Sequence, residues 1–115
     1  MKTGAWHPSW RIADNAFATI PAVGLTLAAL TKKTRDIFSL RWGSTGVAIT
    51  LVDPEKSADM DLQRGELILQ VNQEAVWMPD QVVAKYRQAK KKGLQEILLL
   101  VEGPGGFRFS LLPVR

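Results

Sequence analysis

Hydrophobic and polar residues alternate in short runs along most of the chain, and this pattern predicts a series of strands. Alternation with a period of two over four to eight residues is typical of a half-buried strand. The predicted strands are 23–27, 47–52, 67–71, 75–76, 94–101 and 107–112. Asp53-Pro54 is expected to end the second strand, and the glycine-rich turn 103–106 is expected to join the last two as a hairpin.

Two helices are predicted between these strands. Thr31 can cap a short helix through residue 38, because its hydroxyl can accept a hydrogen bond from a free N–H of the first turn. Pro79 suits the first position of a longer helix, with Asp80 in the first turn, where the helix dipole favours an acid. The apolar residues of that helix recur at helical spacing: Val82, Val83, Tyr86 and Ala89. Gly93 is expected to end it.

Together these elements predict a small α+β fold, a partly open β-barrel of five to six short strands with two helices plugging its ends. Residues 1–20 show no sustained period and are predicted to form a leader or linker that is at most partly ordered. Its aromatic residues, Trp6 and Trp10, are expected to dock it loosely. The predicted domain therefore covers residues 21–115.

Length and composition narrow the class of protein. A chain of 115 residues is long enough for one self-supporting domain, and its hydrophobic (46%) and charged (23%) fractions are those of an ordinary globular protein. The net charge of +4 is a mild excess. The basic stretch 85–92 is explained by the preference of lysine for a helix C-terminus, and its single aromatic, Tyr86, is predicted to point inward. We therefore expect no nucleic-acid partner.

Catalysis and metal binding are disfavoured by the residue types present. The chain has no cysteine, and its single histidine, His7, lies in the leader. A Ser-His-Asp triad needs a histidine as general base, and no serine stands in a nucleophile motif. We expect no catalytic centre and no cofactor. The longest apolar stretch, 22–30, is too short to span a bilayer, and no signal peptide is expected in the first eight residues.

Two segments carry a resemblance to a known family. Residues 45–54 (TGVAITLVDP), followed by Ser57-Ala58, resemble the PDZ pattern in which a strand ends in V-x-P-x-S-P-A. Residues 62–72 (LQRGELILQVN) are similar to the PDZ pattern L-x-x-G-D-x-I-x-x-V-N-G. The chain departs from that family at three positions, where Asp61 replaces a small residue, Glu66 an Asp and Gln73 the turn Gly. Gln73 must then adopt a backbone conformation that glycine takes easily.

Within the bacterial, circularly permuted PDZ domains, the likeness is greatest to the C-terminal (second) PDZ domain of the HtrA (Deg) serine proteases. Those domains begin with L-G-hydrophobic-x-hydrophobic and a helix opening T-x-x-x-R. Residues 23–27 (VGLTL) and 31–35 (TKKTR) are similar to these motifs. The whole resemblance covers about 90 residues, 22–114.

The resemblance implies a peptide groove. A PDZ domain adds an extended peptide as a strand to a free sheet edge beside a helix. The peptide-binding residues that this implies are Val23, Gly24, Leu25, Thr26, Leu27, Pro79, Val83 and Arg87. Gly24 is expected to direct its N–H at the peptide's C-terminal carboxylate, the alternative being a simple bend, and Arg87 could equally be a solvated cation. Val82 and Tyr86 are expected to face the core.

The function implied is that of a non-catalytic regulatory module of an HtrA-type envelope serine protease. It would bind extended hydrophobic C-terminal peptides of substrate proteins by strand addition and take part in periplasmic protein quality control. The alternative is an assembly module, of a protease oligomer or a secretion-system component, that mediates contacts between domains or subunits and binds no peptide. Its partners would be peptide segments in the first case and the protease domain or neighbouring subunits in the second.

Overall fold

A computed structural model describes residues 16–40 and 43–115, which form one antiparallel sheet and two α-helices. The strands are β1 (Phe17–Ile20), β2 (Leu25–Ala29), β3 (Val47–Val52), β4 (Leu67–Val71), β5 (Glu74–Ala75), β6 (Glu96–Gly103) and β7 (Gly106–Pro113). The helices are α1 (Lys32–Ile37) and α2 (Pro79–Lys91), and a 3-10 turn spans Pro21–Val23. The predicted α+β class is confirmed. The described residues contain seven strands, compared with the five to six expected.

The sheet is open, with the strand order β1-β2-β3-β4-β6-β7, and β5 pairs with β4. The additional strand, β1, comes from the segment predicted to be a leader. Its pairing is antiparallel and in register over four residues, from Phe17 opposite Ala28 to Ile20 opposite Leu25. Phe17 and Thr19 are exposed and Ile20 is buried, so only one of the large side chains of β1 lies in the core. A four-residue segment of this kind shows no clear alternation in the sequence.

The core lies between the sheet and α2. Val82, Tyr86 and Ala89 are the buried positions of the helix beyond its first residue, as their spacing predicts. They join one hydrophobic cluster with side chains from the strands: Ile20, Leu25, Leu27, Val47, Ile49, Ile68, Val71, Ile97, Leu99, Val101 and Leu112. The Tyr86 hydroxyl reaches the chain end, where it donates to the Arg115 carbonyl at 2.8 Å and accepts from the Arg115 N–H. α2 therefore fastens the last strand as well as the first.

The chain directions between elements are set by local residues. Thr31 caps α1 by accepting from the Thr34 N–H, and Pro79 occupies the first turn of α2. Gly93 takes a positive φ of 76° just after α2, as expected for the residue that ends it. These predictions are confirmed.

The turn between β4 and β5 uses two residues in the left-handed region. Asn72 has φ 50° and Gln73 has φ 68°, the conformation that the missing turn glycine would adopt at little cost. Two hydrogen bonds between Asn72 and Leu98 of β6 offset the cost of this backbone conformation. The Asn72 side-chain oxygen accepts from the Leu98 N–H at 2.9 Å, and the Asn72 N–H donates to the Leu98 carbonyl at 2.7 Å.

A charged cluster joins the edge strand β7 to the loop before β4. Arg108 forms a two-pronged contact with Glu66, at 2.6 and 3.0 Å, and donates to the Asp61 backbone carbonyl at 2.6 Å. Ser110 donates to the Asp61 carboxylate. The Glu66 side chain is 7% exposed and Arg108 34%, so water screens this pair only partly.

The cluster predicts an acid-dependent loss of stability. The Ser110 hydroxyl holds the pKa of Asp61 below its usual value; burial opposes this shift, and the hydrogen bond and charge of Arg108 add to it. Because the folded-state pKa is the lower one, this stabilisation is present above about pH 4 and is lost as the pH falls through the folded pKa. Asp61→Asn should flatten the decline of the free energy of unfolding below that pH, as followed by urea denaturation.

Ser110→Ala offers an independent check on the same carboxylate. Removing the hydroxyl should raise the pKa of Asp61, as read from the pH titration of its carboxyl carbon by NMR. An unchanged titration would show that the Ser110 hydrogen bond does not act on Asp61 in solution.

Candidate functional site

The sheet margin predicted to receive a peptide is already paired. β2 hydrogen-bonds to β3 on one side and to β1 on the other. Helix α2 packs against β1, and it makes fewer contacts with β2 and β6. β1 therefore lies beside β2 and against the predicted helix wall, in the position expected for an added peptide strand.

The backbone ladder can be read from one bond. The Ala29 N–H donates to the Ala16 carbonyl at 2.8 Å. In an antiparallel pair, bonded and non-bonded residue pairs alternate, so the register makes 18/27 and 20/25 bonded pairs and 17/28 and 19/26 non-bonded ones. β1 thus uses the N–H and C=O groups of Leu25, Leu27 and Ala29 that would otherwise face an incoming strand.

Backbone groups of the loop around Gly24 are also hydrogen-bonded to other residues of the domain. The Gly24 N–H donates to the Pro21 carbonyl at 3.2 Å, and its carbonyl accepts from the Asp53 N–H at 2.8 Å. The preceding carbonyl, of Val23, accepts from the buried Ser57 hydroxyl at 2.7 Å. In this conformation the Gly24 N–H is used within the domain, and its role towards a peptide carboxylate stays a prediction. Ser57 instead explains why a serine stands in this motif, because it holds the turn.

The predicted peptide-binding residues separate into three groups. Val23, Leu25 and Leu27 are 0% exposed, and their side chains belong to the hydrophobic core. Thr26 and Val83 are half-buried, and Pro79 is buried at the start of α2. Arg87 is exposed and borders a shallow depression between α2 and β5, together with Glu74 and Gln88. The structure places β2 and the start of α2 next to β1. Arg87 is not part of this group.

A different apolar surface is open to solvent. Phe107, Phe109 and Leu111 project from one face of β7, and each is at least half exposed. Leu98 and Leu100 of β6 lie opposite Leu111 and Phe109 and are half-buried. We call these five residues the hairpin face. In the sequence, the spacing F-x-F-x-L in 107–111 predicted a strand. It did not predict which face of that strand would be exposed to solvent.

The sequence predictions on Trp6, His7 and Trp10 concern residues outside the described part of the chain. Across 16–40 and 43–115, no group of three or more His, Cys, Asp or Glu side chains is placed to hold a metal ion. Neither α1 nor α2 combines the length and the apolar character that a bilayer crossing would require.

The architecture defines the class of fold. An open antiparallel sheet, one principal helix packed against its first two strands and a glycine turn between those strands are consistent with a PDZ-like fold, as the sequence predicted. No family model matches the chain.

Two curated proteins are similar in sequence to part of this chain. One, a probable periplasmic serine endoprotease DegP-like of Rhizobium meliloti (strain 1021), is 40% identical over 70 residues, which are 60% of this chain and 14% of the relative. Another, of the same description from Rickettsia conorii (strain ATCC VR-613 / Malish 7), is 31% identical over 90 residues, 78% of this chain and 17% of the relative. The chain is thus related to a segment of DegP-like proteases and spans less than a fifth of each.

Proposed function

We propose that this chain is a non-catalytic, PDZ-type module of an HtrA-type periplasmic serine protease. We propose further that in its closed conformation, in which β1 is paired with β2, it acts through contacts with neighbouring domains or subunits. The relatives are described as periplasmic serine endoproteases, and the matched segment is a small part of them. A non-catalytic role agrees with the sequence, in which the only histidine is His7 and no nucleophile motif occurs.

The observation that carries the contact role is the pairing of β1 with β2. A free C-terminal peptide needs an open edge and N–H groups directed at its carboxylate. Here the edge of β2 is taken by β1, and the Gly24 N–H is bonded to Pro21. The alternative weighed from the sequence, assembly without peptide capture, therefore fits the geometry better than free-peptide binding.

The hairpin face supports this role as the contact surface. Its three β7 side chains form a continuous exposed apolar row, and large aromatic residues dominate the energetics of protein interfaces. Arg108 alternates with the exposed residues of this strand and is paired with Glu66, so its charge is not part of the exposed apolar row. In a protease oligomer this face would meet an adjoining domain or subunit.

The contact role is tested in the whole protein that contains this segment. Phe109→Ser should weaken assembly at least tenfold, as measured by light scattering across a dilution series, because truncation of a central aromatic at an interface has effects of that size. Phe17→Ser is the matched control, since the two side chains are equally exposed, at 61% and 62%. Equal behaviour of the two variants would contradict the role of the hairpin face.

Free-peptide binding is tested on the 115-residue chain. Hexapeptides with a free carboxylate after Val, Leu, Ile or Phe should produce no saturable NMR shifts at the amides of β2 up to millimolar concentration. Saturation below that concentration, with shifts centred on Leu25 and Leu27, would make the chain a peptide receptor in its resting state and overturn the proposal.

A further inference from the structure

We infer that the position of β1 is itself a strand-receiving site, that β1 is its tethered and releasable occupant, and that the ligand it accepts is an internal extended segment rather than a free C-terminus. This inference rests on the proposed PDZ-type assignment and goes beyond it, because it concerns what happens when the closed conformation opens. The hairpin face plays no part in it.

β1 is held as a short bound peptide would be held. It runs antiparallel to β2 and pairs with it residue by residue. Of its side chains, only Ile20 is fully buried, at 3% exposure, where it joins the cluster that includes Val82 and Tyr86 of α2. Ala18 is half-buried on the same side, while Phe17 and Thr19 face outward. Backbone bonds with alternate side chains in pockets are the mode by which added strands bind.

The attachment of β1 is limited to these contacts. The side chains of Phe17–Ile20 make no hydrogen bond and no ion pair with any described residue. Phe17 leaves most of its surface in water. Segments with few buried apolar contacts open at lower free energy than the core of a fold. With one fully buried side chain and no side-chain hydrogen bond to a described residue, β1 is expected to open at a lower free energy than the central strands of the sheet.

A tether explains why free peptides would still be excluded. Only the four residues 21–24 separate β1 from β2. A short connection gives the attached segment an effective concentration in the millimolar range, which a free peptide of ordinary affinity does not match. Release of β1 is thus the event that would make the site available.

The chemistry of the ligand follows from where β1 leaves the groove. Beyond Ile20 the chain continues through Pro21–Val23, and the groups around this exit are already bonded, Gly24 N–H to Pro21 and Val23 C=O to Ser57. When β1 is replaced, this end of the site offers a carboxylate the Leu25 N–H and no nest of further free N–H groups, because Pro21–Val23 and Gly24 keep their own hydrogen bonds. The pockets would select a β-branched aliphatic side chain at the Ile20 position and a small side chain at the Ala18 position.

The test uses the full chain and a fluorescein-labelled, C-amidated peptide with the sequence of residues 16–22, Ala-Phe-Ala-Thr-Ile-Pro-Ala. Ala18→Pro removes an N–H that bonds to Leu27, so it should release β1 and raise the affinity for this probe at least tenfold over the unmodified chain. Thr19→Pro is the matched control, because the Thr19 N–H points away from β2 and its loss should leave the affinity unchanged.

A disulfide provides the opposite control. Thr19 and Thr26 form a non-bonded pair, in which side chains lie closest, and the chain has no other cysteine to interfere. The oxidised Thr19→Cys/Thr26→Cys chain should not bind the probe, and reduction should restore the level of the unmodified chain. Hydrogen exchange of the Leu25, Leu27 and Ala29 amides reports release of β1 in every variant.

Each other outcome overturns a defined part of the inference. Unchanged protection of these amides in Ala18→Pro would show that β1 is not releasable. Loss of protection without probe binding would show that the vacated edge receives no strand, and the contact role would remain. Tighter binding of a probe ending in a free carboxylate at Ile than of the amidated probe would assign a C-terminal ligand instead.

Discussion

Replacing Gly24 by alanine is expected to lower the free energy of unfolding by about 3 kcal/mol, as the sum of backbone strain at positive φ and local overpacking. Gly24 has φ 69°, and an added Cβ would lie 2.7 Å from the Asp53 Cβ. The Asp53 Cβ cannot move independently, because the Asp53 N–H is bonded to the Gly24 carbonyl. Chemical denaturation of both proteins measures the difference.

Gly93→Ala separates the two contributions. Gly93 has a similar φ of 76°, and nothing lies within 4 Å of its added Cβ. Its replacement should cost about 1 kcal/mol, the strain alone. Equal losses at Gly24 and Gly93 would mean that Asp53 yields without penalty. A larger loss at Gly24 would show that glycine is required for the turn that joins β1 to β2. That requirement is independent of whether Gly24 binds a peptide carboxylate.

Arg108→Met should lower the free energy of unfolding by about 2–4 kcal/mol, since it leaves the largely buried Glu66 without its partner. Arg108 provides both of the short contacts to the two Glu66 oxygens, although the Gln63 N–H still reaches one of them at 2.8 Å. The partial exposure of Arg108 keeps the expected loss below that of a fully buried pair.

A double-mutant cycle with Glu66→Gln isolates the pair. The double variant should be less destabilised than the sum of the single variants by at least about 1.5 kcal/mol, because neither charge is then left unpaired. Asp36→Asn is the surface control, since Lys32 and Asp36 are 92% and 67% exposed, and its effect should stay within about 0.5 kcal/mol. Additive losses at Glu66 and Arg108 would show that the contact contributes nothing specific.

The strand missed by the sequence changes the function that the fold supports. Residues 23–27 were predicted to form an open margin, and Leu25 and Leu27 do lie in the second strand of the sheet. Their side chains fill the core, and their outer backbone groups are used by β1. An edge strand exposes unpaired N–H and C=O groups that favour pairing with any available segment. The chain satisfies them with its own residues 17–20.

Local physical chemistry was sufficient for the helices and most turns. Thr31, Pro79 and Gly93 act at positions that depend only on nearby residues, because caps and breakers work within one turn of the backbone. The residues of α2 that face the core were predictable for the same reason, since helical period fixes them relative to one another. The strands agreed to within about two residues.

The sequence by itself determined the α+β class, the order of strands and helices after residue 22, and the helix face that meets the core. It could not determine the pairing of β1 with β2, the partnership of Arg108 with Glu66 across 42 residues, or the exposure of Phe107 and Phe109. The reason is physical. Propensity, caps and periodicity act over a few residues, whereas strand neighbours, ion-pair partners and the covered side of a sheet are decided when distant segments compete for the same edge and the same core.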